Sequence, residues 1–481
     1  MRYFKKLYLV LIIVIILFIP LAGCASGSVN LDPNNPVVIT IWHHYTGIVQ
    51  NSFDELVRRF NETEGMDRGI IVEAVGFGNV GDIERAVRSS AHEEIGSMEL
   101  PNMFTSFPDT AYIAKTFGLL VNLDDYFTSA QLEEYFASFI ERGRIGFDGE
   151  LHIFPAAKST EILMVNHTDW QPFAEATNVS YDDLLTIEGL VRVASIYYEW
   201  SGGRSFFGRD QFGNLFVIGS KQFGIDIKKV DEELVTVTID EEVMRRIWDY
   251  YYVPHISGYF TAHGRFRSDD LRVGDILAYS GSTVSAAFFP EEVRYGGESR
   301  LIEAMVLPAP IFRDGARVMV QQGAGMVVVK STQEEQYASS VFLRWFTQPQ
   351  QNVSFSALSG HLPVKTESMD YALVREMADA EGIELTAVTD AAIRVALDGV
   401  KESLMYTPPS SFAGGVAARA VLDTHLRTKA IDDRAAVLEL INDGMPRAEA
   451  IAQFNTDENF YSWLVDFTEQ LRTAAGCSLC F

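Results

Sequence analysis

The stretch Leu151–Asn166, reading LHIFPAAKSTEILMVN, separates two series of alternating strand and helix patterns. It has a strand-like start, a proline, a patch of small residues and an apolar run that ends at Asn166. Before this stretch, Val37–Trp42 is a β-branched apolar run. The residues that directly follow Trp42 and its loop repeat apolar positions at helical spacing. A second alternation follows Asn166. We therefore predict an α/β chain with two lobes, in which 151–166 is the first crossing between them.

The N-terminus predicts export. Three basic residues precede the apolar run Leu7–Ile19, which at 13 residues is too short to span a bilayer but is typical of a signal-peptide core. Leu21–Cys24 (LAGC) then resembles a bacterial lipobox, which implies cleavage after residue 23 and a lipid on Cys24. Residues 24–36 hold small, polar and proline residues, and we interpret them as a tether.

Charge excludes some classes of partner. The first 23 residues hold three basic and no acidic residue, so the remainder carries 36 Lys and Arg against 65 Asp and Glu, a formal net charge of −29. Nucleic acids and anionic lipid heads select basic surfaces, so neither is expected to bind. Long-range steering favours a neutral or cationic ligand, although residues in a pocket can override it.

The cysteines and histidines give no metal or redox signature. Besides Cys24 there are only Cys477 and Cys480, which in an exported protein are expected to form a small disulfide or to be an idle pair. They lack the βαβ context of a redox motif and the further ligands of a zinc site. His43 and His44 are adjacent, so their side chains diverge on a strand. We predict neither a cofactor nor a metal.

One loop is a binding candidate from chain pattern alone. Trp42, His43, His44 and Tyr45 follow the first strand, and ligands of open α/β sheets lie at the carboxyl ends of strands. Core packing of Trp42 and exposure of the histidines is an equally good interpretation. Gly76–Gly81 matches G-x-G-x-x-G between strand and helix, but a βα unit already precedes it, so a glycine-rich turn is favoured over a dinucleotide site.

The order of several motifs resembles bacterial extracellular solute-binding proteins, the family that includes maltodextrin-binding proteins. The motifs that carry the resemblance are Pro101–Phe104 with Gly118–Asp124 (GLLVNLD), Phe154–Asn166, Ser180–Leu184, Phe266–Ser282, Gln321–Lys330 and Ser359–Val364. Asn102 stands where Asp is usual in the family, and Val165 where Tyr is usual. The resemblance covers the chain from Pro36 to about Phe467.

The resemblance implies a type II periplasmic-binding-protein fold, in which each lobe is a mixed sheet flanked by helices. Residues 151–166, 321–330 and 359–364 would be three hinge crossings. Lobe one would comprise residues 37–158 and 324–360. Lobe two would comprise residues 163–322 and 364–476, with 477–481 as a tail.

The resemblance also implies where ligand contacts lie. Asp109 stands eleven residues before Leu120, as the family's sugar-binding Asp does. Ser159 or Glu161 would contribute at the hinge. Trp200, Thr283 and Phe412 are the candidates in lobe two. For each aromatic residue, packing in a hydrophobic core is the alternative to contact with the ligand.

The implied function is capture of a small solute, with a sugar favoured, and its delivery to the permease of an ABC importer by a monomeric protein on the outer side of a bacterial membrane. Two other functions stay open. A secreted glycosidase needs only two suitably spaced carboxylates, which sequence does not exclude. A sensor or adhesin lipoprotein would bind a protein partner instead.

Overall fold

The computed structural model describes residues 29–146, 148–231, 234–406 and 411–477. Its strands, in chain order, are β1 Val37–His43, β2 Ile70–Gly76, β3 Met103–Ser106, β4 Glu161–Asn166, β5 Phe207–Arg209, β6 Lys228–Asp231, β7 Leu234–Val237, β8 Ala278–Ser282, β9 Glu292–Tyr295, β10 Glu298–Leu301, β11 Ala304–Pro308, β12 Val318–Val320, β13 Gly325–Val328 and β14 Leu404–Tyr406.

Helices cover both faces of the sheets. In chain order they are α1 Gly47–Glu62, α2 Glu64–Arg68, α3 Val80–Ala91, α4 Pro108–Thr116, α5 Ser129–Leu132, α6 Ala137–Gly143, α7 His167–Thr177, α8 Ile187–Trp200, α9 Gly213–Gln222, α10 Glu241–Ile247, α11 Val253–Ile256, α12 Arg267–Arg272, α13 Gln333–Phe346, α14 Pro349–Ser359, α15 Tyr371–Ala380, α16 Ala387–Glu402, α17 Gly415–Asn442, α18 Arg447–Ala452 and α19 Asp457–Ala474. None of these described helices is long and apolar enough to cross a membrane.

Two four-stranded sheets organise the chain. The first has the order β13-β3-β1-β2, in which β1 is parallel to both β2 and β3, and β13 is antiparallel to β3. The second has the order β11-β4-β8-β5, in which β4 is antiparallel to both of its neighbours. The predicted mixed α/β architecture is confirmed.

Strand β4 explains why the end of 151–166 is apolar throughout. Leu163 and Val165 pack into a core on one side of the second sheet, whereas Ile162 and Met164 pack into a core on the other side. Successive side chains of a strand point to opposite faces. A strand covered on both faces therefore needs an unbroken apolar run, and β4 is such a strand.

The three predicted crossings lie side by side. Ser159 pairs with Gln322, and Lys158 pairs with Leu362, in single antiparallel bridges. The Ser159 N–H donates to the Gln322 carbonyl at 3.0 Å and the Gln322 N–H donates to the Ser159 carbonyl at 2.8 Å. The segment after Leu151 is thus not a strand of either sheet, and the regular strand begins only at Glu161.

Core packing differs from the predicted boundary at residue 364. Val364, Val374 and Leu397 pack into the core of the first sheet, although 364–476 was assigned to lobe two. Helix α16 also places Ala392 in a core of the second sheet, so this helix contacts both units. An amphipathic helix pattern shows that one face is buried but not which sheet buries it, and this explains the difference.

Gly360 ends α14 in the left-handed conformation, at φ +73°, and a Cβ there would lie 2.5 Å from the Thr283 carbonyl oxygen. We expect Gly360→Ala to lower the free energy of unfolding by more than the roughly 1–2 kcal/mol cost of a left-handed Ala. Gly382→Ala is the matched control, since Gly382 has φ +68° but open space around its Cα. Urea unfolding of both variants measures the difference, and equal losses would contradict close packing at this crossing.

Candidate ligand-binding cleft

A cavity of 520 Å³ lies between the two sheet units, within the range of about 300–1,000 Å³ typical of ligand sites. Three groups of residues line it. The first unit contributes His44–Thr46, Val49, Val80, Glu84, Phe107–Thr110 and Arg142; the crossings contribute Lys158, Ser159, Gln321–Ala324 and His361; the second unit contributes Gln211, Asn214, Ser282, Val284, Phe288, Val320, Val416, Arg419 and Asp423.

Two members of the first loop line this cavity and two do not. Trp42 is 2% exposed and packs against Phe77 in the core, and His43 is 1% exposed among Tyr45 and Phe53. His44 and Tyr45 reach the cavity because the chain leaves the strand after His43. Trp42 therefore packs in the core, as the alternative interpretation has it, whereas His43 is buried and not exposed as that interpretation expected.

The histidines at the cavity are neutral at pH 7. Burial lowers the pKa of His44 to about 4 and that of His361 to about 3. His44 Nδ1 lies 2.8 Å from the Thr105 hydroxyl, and His361 Nδ1 lies 2.8 Å from the Ser359 hydroxyl. These rings act as hydrogen-bonding surfaces and not as charges.

Asp109 lies where the two units meet. It lies in the first turn of α4 and faces Gly415, the first residue of α17, so closely that a side chain at Gly415 would collide with its carboxylate. The N-terminus of a helix attracts a negative charge. The predicted lobe-one carboxylate therefore contacts the second unit directly.

The predicted hinge and lobe-two residues separate into two groups. Ser159 lines the cavity, whereas Glu161 lies outside it, where its carboxylate binds the Arg209 guanidinium at 2.5 Å and the Asn214 amide at 2.8 Å. Thr283 is fully buried between the cavity residues Ser282 and Val284. Its hydroxyl has no hydrogen-bond partner among the described residues.

The two predicted lobe-two aromatics do not line the cavity. Trp200 is 45% exposed at the end of α8, where its ring packs on Phe173 and Tyr197. Phe412 is buried in the second core, with the Lys228 ammonium 5.6 Å from its ring. Besides Tyr45, the phenyl rings that line the cavity are Phe107 and Phe288, one from each unit and each more than one-third exposed.

Sequence reasoning missed Phe107 and Phe288. Phe107 precedes Pro108 at the start of α4, and Phe288 ends a short 3-10 turn, Thr283–Phe288, after β8. Their position just beyond the carboxyl ends of β3 and β8 was the available signal.

Basic side chains form the main electrostatic feature of the cavity, and this feature too was missed. Arg142, Lys158 and Arg419 line it, and Lys228 lies in the same electrostatic cluster. Burial lowers the pKa of Lys158 to about 7, with the nearby Arg142 charge as a second cause. Burial likewise lowers the pKa of Lys228 to about 8.

A separate surface group could hold a metal ion. Ligand atoms of Asp148, Glu150 and His152 lie within 4.8 Å of one another, outside the cavity. Asp148 is already paired with the Lys115 ammonium at 2.6 Å, and exposed carboxylates of this kind are common without an ion.

The predicted lipidation and disulfide lie partly outside the described residues. Cys24 and Cys480 belong to the segments that the structure does not describe. Cys477 is disulfide-bonded.

Residues 55–382 match the model of a family described as bacterial extracellular solute-binding protein. No curated protein matches the chain. Among solved structures, the cyclic alpha-maltosyl-1,6-maltose binding protein from Arthrobacter globiformis is similar with a TM-score of 0.65 and 16% identity, over 92% of this chain and 99% of that chain.

Two further structures are similar to the chain. UgpB from Mycobacterium tuberculosis, in complex with glycerophosphocholine, has a TM-score of 0.64 and 17% identity over 90% of this chain and 99% of that one. The maltose/maltodextrin-binding domain MalE from Bdellovibrio bacteriovorus, bound to maltotriose, has a TM-score of 0.62 and 12% identity over 91% of this chain and 100% of that one. At these identities the likeness establishes the fold alone.

Replacement of Lys158 tests its buried charge. We expect Lys158→Met to raise the free energy of unfolding by about 1–4 kcal/mol at pH 6 without ligand, because it removes a charge from a desolvated site. The folded-state pKa, about 7, is below the unfolded value of 10.5, so the unfolded state binds more protons between those values. Wild-type stability therefore gains on the variant as pH rises from 7 towards 10.5.

Urea unfolding at pH 6 and pH 9 measures this effect. Lys365→Met is the matched control, since Lys365 is comparably buried but pairs with Glu134 at 2.6 Å. A Lys158→Met variant that is less stable than wild type by the same amount at both pH values would contradict the desolvated charge.

Proposed function

The chain belongs to the family of bacterial extracellular solute-binding proteins, and from this premise we propose that it captures one small solute, with a sugar or oligosaccharide favoured, between two lobes that close on it. The family places it outside the cytoplasm, and its members are binding proteins and not enzymes. A glycosidase is therefore not proposed. The observation that carries the proposal is the cavity itself, which both sheet units and all three crossings line.

The composition of the cavity suits a sugar. Tyr45, Phe107 and Phe288 offer aromatic faces to C–H patches. Asp109 offers carboxylate acceptors for hydroxyl groups, and the Asn214 and Gln322 amides offer both donors and acceptors. Proteins with the same fold include ones solved with maltotriose and described as binding a cyclic maltosyl-maltose.

The proposed lobes follow the two sheets. Lobe one comprises residues 37–158 and 324–360, extended by the packing of Val364 and Val374 into its core. Lobe two comprises residues 163–322 and the later part of 364–476. The crossings at 159–162, 323 and 361–363 join them. A hinge absorbs a domain rotation in a few such residues.

Contacts between the lobes make closure dependent on the solute. Asp109 of lobe one faces Gly415 of lobe two, and Gly47 of lobe one faces the Phe288 ring of lobe two. These contacts are polar or small, so they add little stability of their own. A solute that contacts both lobes shifts the population towards the closed state by its differential affinity for that state.

The proposal also covers export, membrane anchoring and delivery of the solute. The proposal includes removal of residues 1–23, lipid attachment at Cys24, a tether over 24–36 and a monomeric receptor that delivers its solute to ABC permease subunits. The sequence LAGC and the polar composition of 25–36 support the anchor. Family membership supports the importer.

A solute that binds should raise the melting temperature of the protein and leave the solute unchanged. At 100 times Kd the expected stabilisation is about 2.7 kcal/mol. A thermal-shift screen of mono-, di- and oligosaccharides, polyols and related solutes measures it, with product analysis of the bound solute. Hydrolysis of the solute would contradict the proposal, and so would the absence of any shift.

Gly415→Ala separates closure from folding. Alanine at the start of α17 favours the helix by up to about 1 kcal/mol, whereas its methyl group meets the Asp109 carboxylate when the lobes close. We expect the ligand-free melting temperature to be unchanged or higher, and the affinity for the screened solute to fall several-fold. Calorimetric titration measures the affinity. An unchanged Kd would contradict a closed state with these contacts.

A further inference from the structure

The cavity is not acidic, although the formal net charge of the chain is −26. Three cationic side chains, Arg142, Lys158 and Arg419, and three carboxylates, Glu84, Asp109 and Asp423, line it. Glu84 pairs with Arg88 at 3.0 Å.

Arg419 has a carboxylate partner within lobe two. The Arg419 guanidinium donates to the Asp423 carboxylate at 2.8 Å and to the Asn214 side-chain oxygen at 2.9 Å. Asp423 also accepts the Gly213 backbone N–H at 2.6 Å. The pair is therefore satisfied within lobe two and leaves little charge for a ligand.

Asp109 is the remaining carboxylate that lines the cavity. Both Arg142 and Lys228 lie in its field, and it also faces the N-terminus of α17. Asp109 therefore interacts with two basic side chains and a helix end.

Lys158 has no carboxylate partner among the described residues. It is 3% exposed, its ammonium reaches only the Gly323 carbonyl at 3.5 Å, and the ring of Phe139 lies 6.0 Å away. Backbone pairing with Leu362 fixes its main chain at the crossing, and its side chain lines the cavity. A buried cation without an anion is costly, and an anion brought by the solute removes that cost.

We propose that the captured solute carries an anionic group, a carboxylate or a phosphate, which binds Lys158 while its uncharged part lies against Tyr45, Phe107 and Phe288. This inference rests on the proposed function and narrows its solute class to acidic sugars or sugar-like acids. The long-range field of the chain disfavours an anion, whereas the local charge of Lys158 selects one, since buried charges interact more strongly than surface charges separated by water.

Matched pairs of solutes test the inference. Glucose is compared with glucuronate and with glucose 6-phosphate, glycerol with glycerol 3-phosphate, and digalacturonate with a neutral disaccharide. Thermal shift and calorimetric titration at pH 7 are run on the mature chain. We expect an acidic member to bind at least tenfold more tightly than its neutral counterpart. Comparison of the carboxylate and phosphate arms shows which anion the site takes.

Variants assign the preference to Lys158. Lys158→Met and Lys158→Gln are expected to lose the tenfold preference, whereas Lys158→Arg keeps it because it keeps the charge. Lys365→Met is the matched control and is expected to leave binding unchanged. Circular dichroism confirms that each variant is folded, and the Lys158→Arg rescue separates loss of charge from loss of structure.

Each result decides between the two proposals. Binding of a neutral member with equal or weaker binding of its acidic counterpart overturns the anion inference and leaves solute capture intact. An acidic preference that survives in Lys158→Met also overturns it. Failure of every solute to bind contradicts both the inference and the proposed function.

Discussion

The backbone pairing of the crossing segments is the interaction on which the rest of the structure depends. Lys158 pairs with Leu362, and Ser159 pairs with Gln322, so three distant parts of the chain meet within a few residues. Gly323 permits this approach, since a Cβ there would lie 2.8 Å from the Ala157 carbonyl oxygen. Residues from both sheet units and from these segments line the cavity.

This arrangement also determines which side chains reach the cavity. Side chains on the regular strands serve the cores on both faces, as Leu163 and Met164 do. The cavity takes its polar groups from the crossings, from loops that follow strands and from helices such as α17, which supplies Arg419 and Asp423. Lys158 is on one of the crossing segments, where its backbone pairs with Leu362 and its side chain is buried. Architecture and electrostatics are thus coupled at one residue.

Much of the fold could be predicted from the sequence, because β-branched runs and helical spacing reflect local burial. The strand at Val37–His43 and the single strand ending at Asn166 follow from such patterns. The sheet against which a helix packs does not follow from such patterns. Residues 364–397 were assigned to lobe two, although Val364, Val374 and Leu397 pack into the first core.

The cleft was harder to predict. His44, Tyr45, Asp109 and Ser159 were identified and line the cavity, whereas Trp42, Trp200 and Phe412 pack against other parts of the protein. A tryptophan in a loop motif looks the same in a sequence whether its ring meets a solute or a core. The basic cluster was missed because its members lie far apart in the chain, from Arg142 to Arg419. Only the three-dimensional arrangement brings them together.

The proposed closure of the two lobes on a solute is tested by the distance between one label on each lobe. Spin labels at Arg85→Cys on α3 and Ala420→Cys on α17 occupy exposed positions on elements that flank opposite sides of the cavity. Pulsed electron paramagnetic resonance then reports the distance between the labels with and without the solute found in the thermal-shift screen. Without solute we expect a broad distribution of label-to-label distances. At saturating solute this distribution should become narrower and its mean distance shorter. An unchanged distribution with solute bound would contradict the proposed closure.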